Sequence, residues 1–169
     1  GFYGDDAADW DAIAHAAPGY LVVKSAGNDR DDAGPAAGEG HYVWDSATGD
    51  WAWSLVERDP DGGVDGYDTI GLRGNAKNIL TVGAVDDIAG GWSDPADVQL
   101  SAFTSWGPTD DGRIKPDLVA NGVGLYSPLS GADDAYGTFS GTSMAAPGVT
   151  GSLHLLRRQY TAAVGQPPL

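Results

Sequence analysis

The sequence predicts an α/β fold in which a mostly parallel sheet is covered by helices on both faces, a three-layer sandwich. Two observations predict this class. Helix-like and strand-like segments alternate along the 169 residues, and the strand-like segments are continuous apolar runs rather than alternating ones. Strands of that kind are buried on both faces. In such sheets the functional residues lie in loops beyond the carboxyl ends of the strands.

The first elements are a helix and a strand. Residues 7–17 have helical periodicity, and Pro18-Gly19 ends this segment. Residues 20–25, the run YLVVKS, are long enough for a buried strand that stops at residues 26–28. The face of the helix that should meet the core consists of Ala8, Ala12, Ile13 and Ala16.

A long polar segment follows. Residues 29–74 are rich in Asp and Gly and are interpreted as an acidic loop insertion. The aromatic pairs Tyr42/Trp44 and Trp51/Trp53 each have period 2, which predicts a small hairpin on this insertion.

Further strands and a helix complete the chain. Residues 78–85 (NILTVGAV) predict a second buried strand, and residues 118–120 and 123–127 predict two shorter ones. A helical face near the C-terminus is formed by Val149, Leu153, Leu156 and Tyr160.

The charge of the chain excludes several classes of partner. Nine Lys and Arg stand against 24 Asp and Glu, a net charge of -15. Nucleic acid and anionic membranes are therefore disfavoured as partners. The acidic residues are interpreted as solvated loops, with calcium binding or adaptation to saline surroundings as the alternative. Because the chain has no cysteine, a disulfide scaffold and a cysteine nucleophile are excluded.

Residues 139–148, FSGTSMAAPG, contain the candidate nucleophile. Pro147 is tolerated without penalty only in the first turn of a helix, which predicts a helix start at about Ser143. The free N–H groups and the dipole of a helix N-terminus favour developing negative charge. Ser143 is therefore suited to form an acyl-enzyme. The alternative is an ordinary N-cap serine.

Four segments resemble motifs of the subtilases, the subtilisin-like serine peptidases, and they occur in the same order as in that family. They are residues 25–28 (SAGN), residues 78–85, residues 103–108 with 111–117 (FTSWGP and DGRIKPD), and residues 141–151 (GTSMAAPGVTG). The resemblance extends from about residue 20 to residue 160. It implies a subtilisin-like fold and a serine endopeptidase that hydrolyses peptide bonds.

The resemblance also implies a role for each matching position. Ser143 would be the nucleophile. Asn28 would donate its side-chain amide to the oxyanion, beside the backbone N–H of Ser143. The residues expected to contact the substrate are Ser25, Ala26, Gly27 and Thr142.

None of the three histidines matches the base that such a mechanism needs. His15 is interpreted as a residue of the helix surface or its packing. His41 lies in the acidic insertion and does not match the family's H-G-T-H motif. His154 follows Ser143 by eleven residues on the same helix, about 16 Å of rise. The aspartate motif, which precedes the histidine in this family, is also absent.

The simplest interpretation is that residues 1–169 are the C-terminal portion of a subtilase catalytic domain, incomplete here and inactive alone. Its expected partners are a polypeptide substrate and the N-terminal half of the domain, with no nucleic acid and no membrane. The alternative is a non-catalytic relative that binds peptides or calcium. D-[ST]-G and H-G-T-H motifs encoded upstream of Gly1 would favour the enzyme.

No cofactor is expected for the chemistry. The metal residues are unknown, because no ligand set in the sequence is specific, and a structural calcium ion is left open. The resemblance to secreted bacterial subtilases implies an extracellular location.

Overall fold

The computed structural model describes residues 2–58 and 66–168. The regular elements in these ranges are α1 (Asp5–Ala16), β1 (Val23–Ser25), β2 (His41–Asp45), β3 (Asp50–Ser54), β4 (Leu80–Val85), β5 (Leu118–Asn121), β6 (Leu125–Pro128), β7 (Tyr136–Phe139) and α2 (Thr142–Val164). No helix in these ranges combines the length and the apolar character needed to cross a membrane.

A parallel sheet of order β1-β4-β5 forms the centre of the molecule. β4 is buried almost throughout, as the apolar run at 78–85 predicts. Its side chains alternate between the two faces of the sheet. Val82 and Ala84 pack against α2, whereas Ile79, just before the strand, packs against α1 on the opposite face. The α/β class with helices on both faces is confirmed.

The helix predicted at residues 7–17 forms as α1, but the prediction of which face meets the core is wrong. Ile13 is exposed, and the buried positions are Ala7, Asp11 and Ala14. Asp11 explains the difference, because its carboxylate accepts hydrogen bonds from the backbone N–H groups of Lys77 and Asn78. A search for apolar periodicity cannot find a packing face that contains a hydrogen-bonded carboxylate.

The predicted buried strand at residues 20–25 is shorter and more exposed than expected. Only Val23–Ser25 pairs with β4. Tyr20 and Leu21 precede the strand and are 62% and 52% exposed. The exposure follows from position, because β1 lies at an edge of the described sheet and so has one paired side instead of two.

Two antiparallel hairpins project from this framework. The β2–β3 hairpin confirms the aromatic pattern in the insertion, of which residues 59–65 lie outside the described residues. The β6–β7 hairpin corrects the strand expected at residues 123–127, which pairs with Tyr136–Phe139 and does not join the central sheet. β7 escaped prediction because it is only four residues long and largely exposed.

α2 begins at Thr142, one residue before the predicted start. Pro147 lies in its second turn, not the first, so the carbonyl of Ser143 loses the N–H four residues ahead. The predicted apolar face is buried only in its first half. Val149 is 7% exposed, whereas Leu156 and Tyr160 are 64% and 48% exposed. The exposed half forms one wall of a groove of about 970 Å³ whose other wall is residues 18–23.

Candidate active site

The candidate site lies where the loop after β1 meets the N-terminus of α2. Ser143 is the second residue of the helix and is exposed. Gly141 precedes the helix with φ of +151°, a conformation that favours glycine. Its N–H donates to the Gly122 carbonyl at 2.7 Å. A Cβ at Gly122 would lie 2.8 Å from the Gly141 carbonyl oxygen, so the two backbones are in direct contact.

The side chain of Asn28 is oriented by Thr142. The amide oxygen of Asn28 accepts the backbone N–H of Thr142 at 2.9 Å and its hydroxyl at 3.0 Å. Two donors on one oxygen fix which end of the amide faces Thr142. The NH2 group must then point away, and it has no hydrogen-bond partner among residues 2–58 and 66–168.

The first four N–H groups of α2 can be accounted for individually. Thr142 N donates to Asn28, and Met144 and Ala145 N donate to the Gly141 carbonyl at 2.9 and 3.4 Å. Ser143 N finds no acceptor in the described part of the chain. A Cβ on Gly141 would lie 3.2 Å from Asn28 Nδ2, which places the amide beside the helix start. Two donors without partners therefore flank the exposed serine.

A second segment supports the Asn28 loop from the other side. Ser105 is fully buried, and its N–H donates to the Gly27 carbonyl at 3.0 Å. Its hydroxyl accepts the Asp29 N–H at 3.0 Å. One residue further on, the Arg30 N–H donates to the Phe103 carbonyl at 3.3 Å. The loop is thus held between Thr142 and Ser105, which leaves Asn28 little freedom.

A cleft of about 410 Å³ opens beside the serine. Its lining residues are Val23, Lys24, Ser25, Ser143, Ala146, Pro147 and Thr150. Lys24 Nζ donates to the carbonyl and hydroxyl oxygens of Ser25 at 2.9 and 3.0 Å. Burial lowers the pKa of Lys24, the charge of Arg73 lowers it further, and Asp29 opposes both.

The structure brings most of the predicted site residues together. Ser25 lines the cleft with Ser143, and Gly27 N donates to the Thr142 hydroxyl at 3.2 Å. Ala26 and Thr142 are each 1% exposed. The predicted contact of these four residues with a substrate stays a prediction. For Thr142, the structure adds hydrogen bonds to the Asn28 loop that the sequence had not indicated.

The histidines are not brought to the serine. His15 is exposed at the end of α1, and His154 is exposed on α2. His41 lies in β2, where its Nδ1 is 2.9 Å from the Glu39 carbonyl oxygen. Within the described residues, no histidine, cysteine or acidic side chains form a cluster of three that could hold a metal ion.

Sequence reasoning missed Ser105 as a residue of the site. Residues 103–108 resemble a segment of the subtilases, but the sequence predicts no role for them. The available signal was the Ser-Trp-Gly-Pro sequence, a small polar residue before a restricted backbone, which is consistent with a close backbone contact.

These features define a class, α/β proteins that present an exposed serine and two N–H donors at the N-terminus of a helix. A profile of the Subtilase family matches residues 2–166, and the chain belongs to that family. Family membership supports a peptidase function in general terms.

Relatives of known name agree with this assignment. C5a peptidase of Streptococcus pyogenes serotype M3 is 37% identical over 105 residues, which are 62% of this chain and 9% of that protein. Pyrolysin of Pyrococcus furiosus is 38% identical over 54% of this chain and 8% of its own length. Serine protease AprX of Bacillus subtilis is 40% identical, covering 54% of this chain and 23% of its own. The chain therefore spans less than a quarter of each relative.

A solved structure, the CspB protease of Clostridium perfringens, is also similar. It is 27% identical, covers 68% of this chain and 24% of its own, and superposes with a TM-score of 0.48.

Proposed function

We propose that the chain forms the nucleophile and oxyanion-hole part of a serine endopeptidase. One observation carries the proposal: the exposed Ser143 lies between two N–H donors, its own backbone N–H and the Asn28 amide, that have no acceptor in the described residues. Unpartnered donors fixed beside a nucleophile are what stabilisation of a tetrahedral oxyanion requires.

The proposed reaction is acyl transfer. Ser143 Oγ attacks the carbonyl carbon of a peptide bond while a base takes its proton, and the negative charge moves to the carbonyl oxygen. The Ser143 N–H and the Asn28 amide donate to that oxygen without reorganising, because both are already held in place. The proton then passes to the leaving amine as the carbon–nitrogen bond breaks. Water hydrolyses the acyl-enzyme by the same steps.

The base and its orienting carboxylate are proposed to come from residues outside this sequence. His15, His41 and His154 make no hydrogen bond with Ser143 among the described residues. The relatives in which the matching segment occurs are several times longer than this chain. The open side of β1 and the uncovered groove beside α2 are surfaces on which such a segment would pack. The 169-residue chain alone is then expected to turn over no substrate.

Thr142 is proposed to act through Asn28 as a positioning residue. Its hydroxyl and its N–H hold the Asn28 oxygen, so the amide N–H groups face the reacting carbonyl. The same hydroxyl accepts the Gly27 N–H, which fixes the backbone next to Asn28.

The test uses the longer protein encoded by the gene that contains this chain. Casein and a peptide ester are assayed with the parent enzyme and with Ser143→Ala, which should abolish turnover. Asn28→Ala should lower kcat by about 100- to 1,000-fold and leave KM almost unchanged, a magnitude known from the oxyanion hole of subtilisin.

Two matched variants separate lost hydrogen bonding from lost packing. Asn28→Leu fills similar space without a donor and should resemble Asn28→Ala. Asn28→Asp places a negative charge beside the oxyanion and should be at least as harmful. Full kcat in a folded Asn28→Leu enzyme would contradict the oxyanion role. A longer protein that is folded, binds peptides and lacks turnover would indicate a binding module instead.

The extracellular location is also proposed, and the resemblance to secreted bacterial subtilases supports it. Fractionation of the producing cells and medium with an antibody against this chain is the test, and retention in the cytoplasm would contradict it.

A further inference from the structure

The β2–β3 hairpin carries an unusual surface of four exposed aromatic side chains, which we call the aromatic face: Tyr42, Trp44, Trp51 and Trp53. Tyr42 is directly opposite Trp53, and Trp44 is directly opposite Trp51. Opposed residues and positions two apart share one side of a hairpin, so all four rings lie together. Each is 57–61% exposed.

The rings pack on each other across the hairpin. The Tyr42–Trp53 and Trp44–Trp51 centroids are 5.0 and 5.6 Å apart in edge-to-face geometry. No other helix or strand of the described chain packs extensively against the hairpin. Contiguous exposed aromatic surface of this kind marks an interaction site.

The charge around the aromatic face indicates which partner it fits. Residues 29–58 contain seven acidic and two basic side chains, a net charge of -5. A negative field attracts cations and repels phosphate and anionic lipid. Aromatic faces bind the same groups by cation–π interaction, most readily the arginine guanidinium. The negative field and the aromatic rings therefore both favour a partner with basic side chains.

The four basic side chains that lie over aromatic rings in the described residues use rings outside the hairpin. Arg30 lies 4.3 Å from the Trp106 centroid, and Lys77 lies 4.3 Å from that of Tyr3. The remaining cation–π contacts in residues 2–58 and 66–168 also use Trp10 or Tyr3. In these ranges, no basic side chain lies over the aromatic face, so its outer surfaces are accessible to a cation from another molecule.

A short segment connects the hairpin to the candidate active site, and hydrogen bonds hold the end of this segment that lies at the site. The segment leaves the site at Asp29 and Arg30, which are hydrogen-bonded to Ser105 and Phe103. Tyr42 follows Asn28 by fourteen residues, which reach at most about 50 Å. An extended polypeptide of about 15 residues could therefore contact both places.

We infer that the aromatic face is a docking surface for basic segments of polypeptides, through arginine and lysine side chains. The role of the aromatic face as an exosite that gathers substrate for Ser143 rests on the proposed function. The binding of basic segments to the aromatic face does not. The acidic field should attract the basic segment, and the rings should then contact its cations. The affinity should therefore be weaker at high salt, which screens the attraction.

The test measures binding without catalysis, in the longer protein that contains this chain, with Ser143→Ala to prevent cleavage of the peptides. Fluorescence anisotropy follows labelled peptides of about 20 residues, one of repeated Arg-Gly-Ser and one of repeated Glu-Gly-Ser. The arginine peptide should bind at least about 10-fold more tightly, and added salt should weaken it.

Three variants locate the surface. Trp44→Ala with Trp51→Ala should weaken the arginine peptide by about 5- to 30-fold, the loss of two exposed cation–π contacts. Asp31→Asn with Asp32→Asn and Glu57→Gln should weaken it and flatten the salt dependence. These three side chains are exposed and make no hydrogen bond to described residues, so the hairpin is kept. The matched control is Tyr126→Ala with Tyr136→Ala, a stacked exposed pair on the other hairpin, which should change nothing.

Several results would overturn the inference. Equal binding of the two peptides, or equal losses in the control pair and the Trp pair, would show nonspecific adhesion. Unchanged binding in both the Trp and the charge variants would place the surface elsewhere. A large fall in the melting temperature of the longer protein on Trp44→Ala with Trp51→Ala would show that its own chain covers the rings. All of these outcomes are independent of whether Ser143 is a nucleophile.

Discussion

The Asn28 site and the β2–β3 hairpin both present side chains at the surface, but they are held by opposite means. Asn28 is fixed by Thr142, which is 114 positions away, and the neighbouring loop is fixed by Ser105, 76 positions from Asp29. The hairpin rings are fixed by each other across a single turn, as in the Trp44–Trp51 pair. The site is therefore a property of the whole fold, whereas the hairpin is a local structure.

This difference has a consequence for mutations. A change in the Asn28 site should lower the stability of the entire chain, because its contacts connect the sheet to α2. A change in the hairpin should lower mainly the local stability of the hairpin.

The largest expected contrast is between two glycines with positive φ. Gly27 has φ of +121°, and a Cβ there would lie 2.7 Å from both Asp29 Oδ2 and Ser105 Oγ. Gly27→Ala should lower the free energy of unfolding by about 2–5 kcal/mol through strain and overpacking. Gly49, in the hairpin turn, has φ of +68° and open space around it. Gly49→Ala should cost about 1–2 kcal/mol, confined to the hairpin.

Urea unfolding of the whole chain and hydrogen exchange of the hairpin amides distinguish the two cases. Equal losses of global stability in the two alanine variants would contradict the view that the hairpin is a local structure.

The second contrast is between a buried aliphatic residue and an exposed ring. Val82 is fully buried in the core beneath α2. Val82→Ala should lower the free energy of unfolding by about 1.5–3 kcal/mol. Trp44→Ala removes a much larger side chain, but this ring is 57% exposed. It should change global stability by no more than about 0.5 kcal/mol. A larger loss for Trp44 than for Val82 in urea denaturation would show that the hairpin supports the body.

The third contrast is between two threonine hydroxyls. Thr142 Oγ1 is buried, donates to the Asn28 amide oxygen and accepts from the Gly27 N–H, whereas Thr48 Oγ1 donates to the half-buried Asp45 in the hairpin turn. Thr142→Val should cost about 1–2 kcal/mol, because the Gly27 N–H loses its acceptor. Thr48→Val should cost at most about 0.5 kcal/mol. The denaturation midpoints of the two variants provide the measurement, and coincidence of both with the parent would contradict the proposed role of Thr142.

The smallest contrast concerns pH. Burial raises the pKa of Asp11, but hydrogen bonds from the N–H groups of Lys77 and Asn78 and from the Tyr3 hydroxyl lower it more, so the net pKa is below its usual range. Its stabilising contribution is therefore complete above about pH 4 and is lost as the pH falls through the lowered value. The hairpin carboxyl of Asp45 also has a lowered pKa, through the backbone N–H of Ala47 and the Thr48 hydroxyl.

Asp11→Asn should flatten the acid dependence of global unfolding, because this carboxylate connects α1 to the segment before β4. Asp45→Asn should leave that dependence as it is in the parent chain. Melting curves between about pH 2 and 6 make the comparison. An identical slope in the parent and Asp11→Asn would show that other carboxyls dominate acid unfolding.

The sequence predicted features whose signals are local. The apolar run of β4, the period-2 aromatics of the hairpin and a helix beginning within one residue of Ser143 all formed as expected. Each depends on neighbours in the chain, and periodicity describes such neighbours directly. The helix start was nearly right although its argument was not, because Pro147 lies in the second turn.

The features that escaped depend on contacts between distant residues. The packing face of α1 includes Asp11, which is buried only because N–H groups 66 and 67 positions away reach it. The orientation of Asn28 by Thr142 has the same character. β1 is more exposed than expected because its second side is not paired among the described residues, which its own composition cannot indicate. Hydrogen-bond partners across the fold leave no pattern in a single sequence.

The edge-to-face indoles of Trp44 and Trp51 have an optical consequence. Two chromophores with centroids 5.6 Å apart couple their electronic transitions, and the resulting circular dichroism couplet disappears when the hairpin opens. The helical signal of α1 and α2 falls in the same far-ultraviolet region, so the couplet is obtained as the difference between the thermal scans of the parent chain and Trp44→Ala. That difference reports the opening of the hairpin, and the scan of Trp44→Ala, in which the couplet is lost from the start, reports the unfolding of the body.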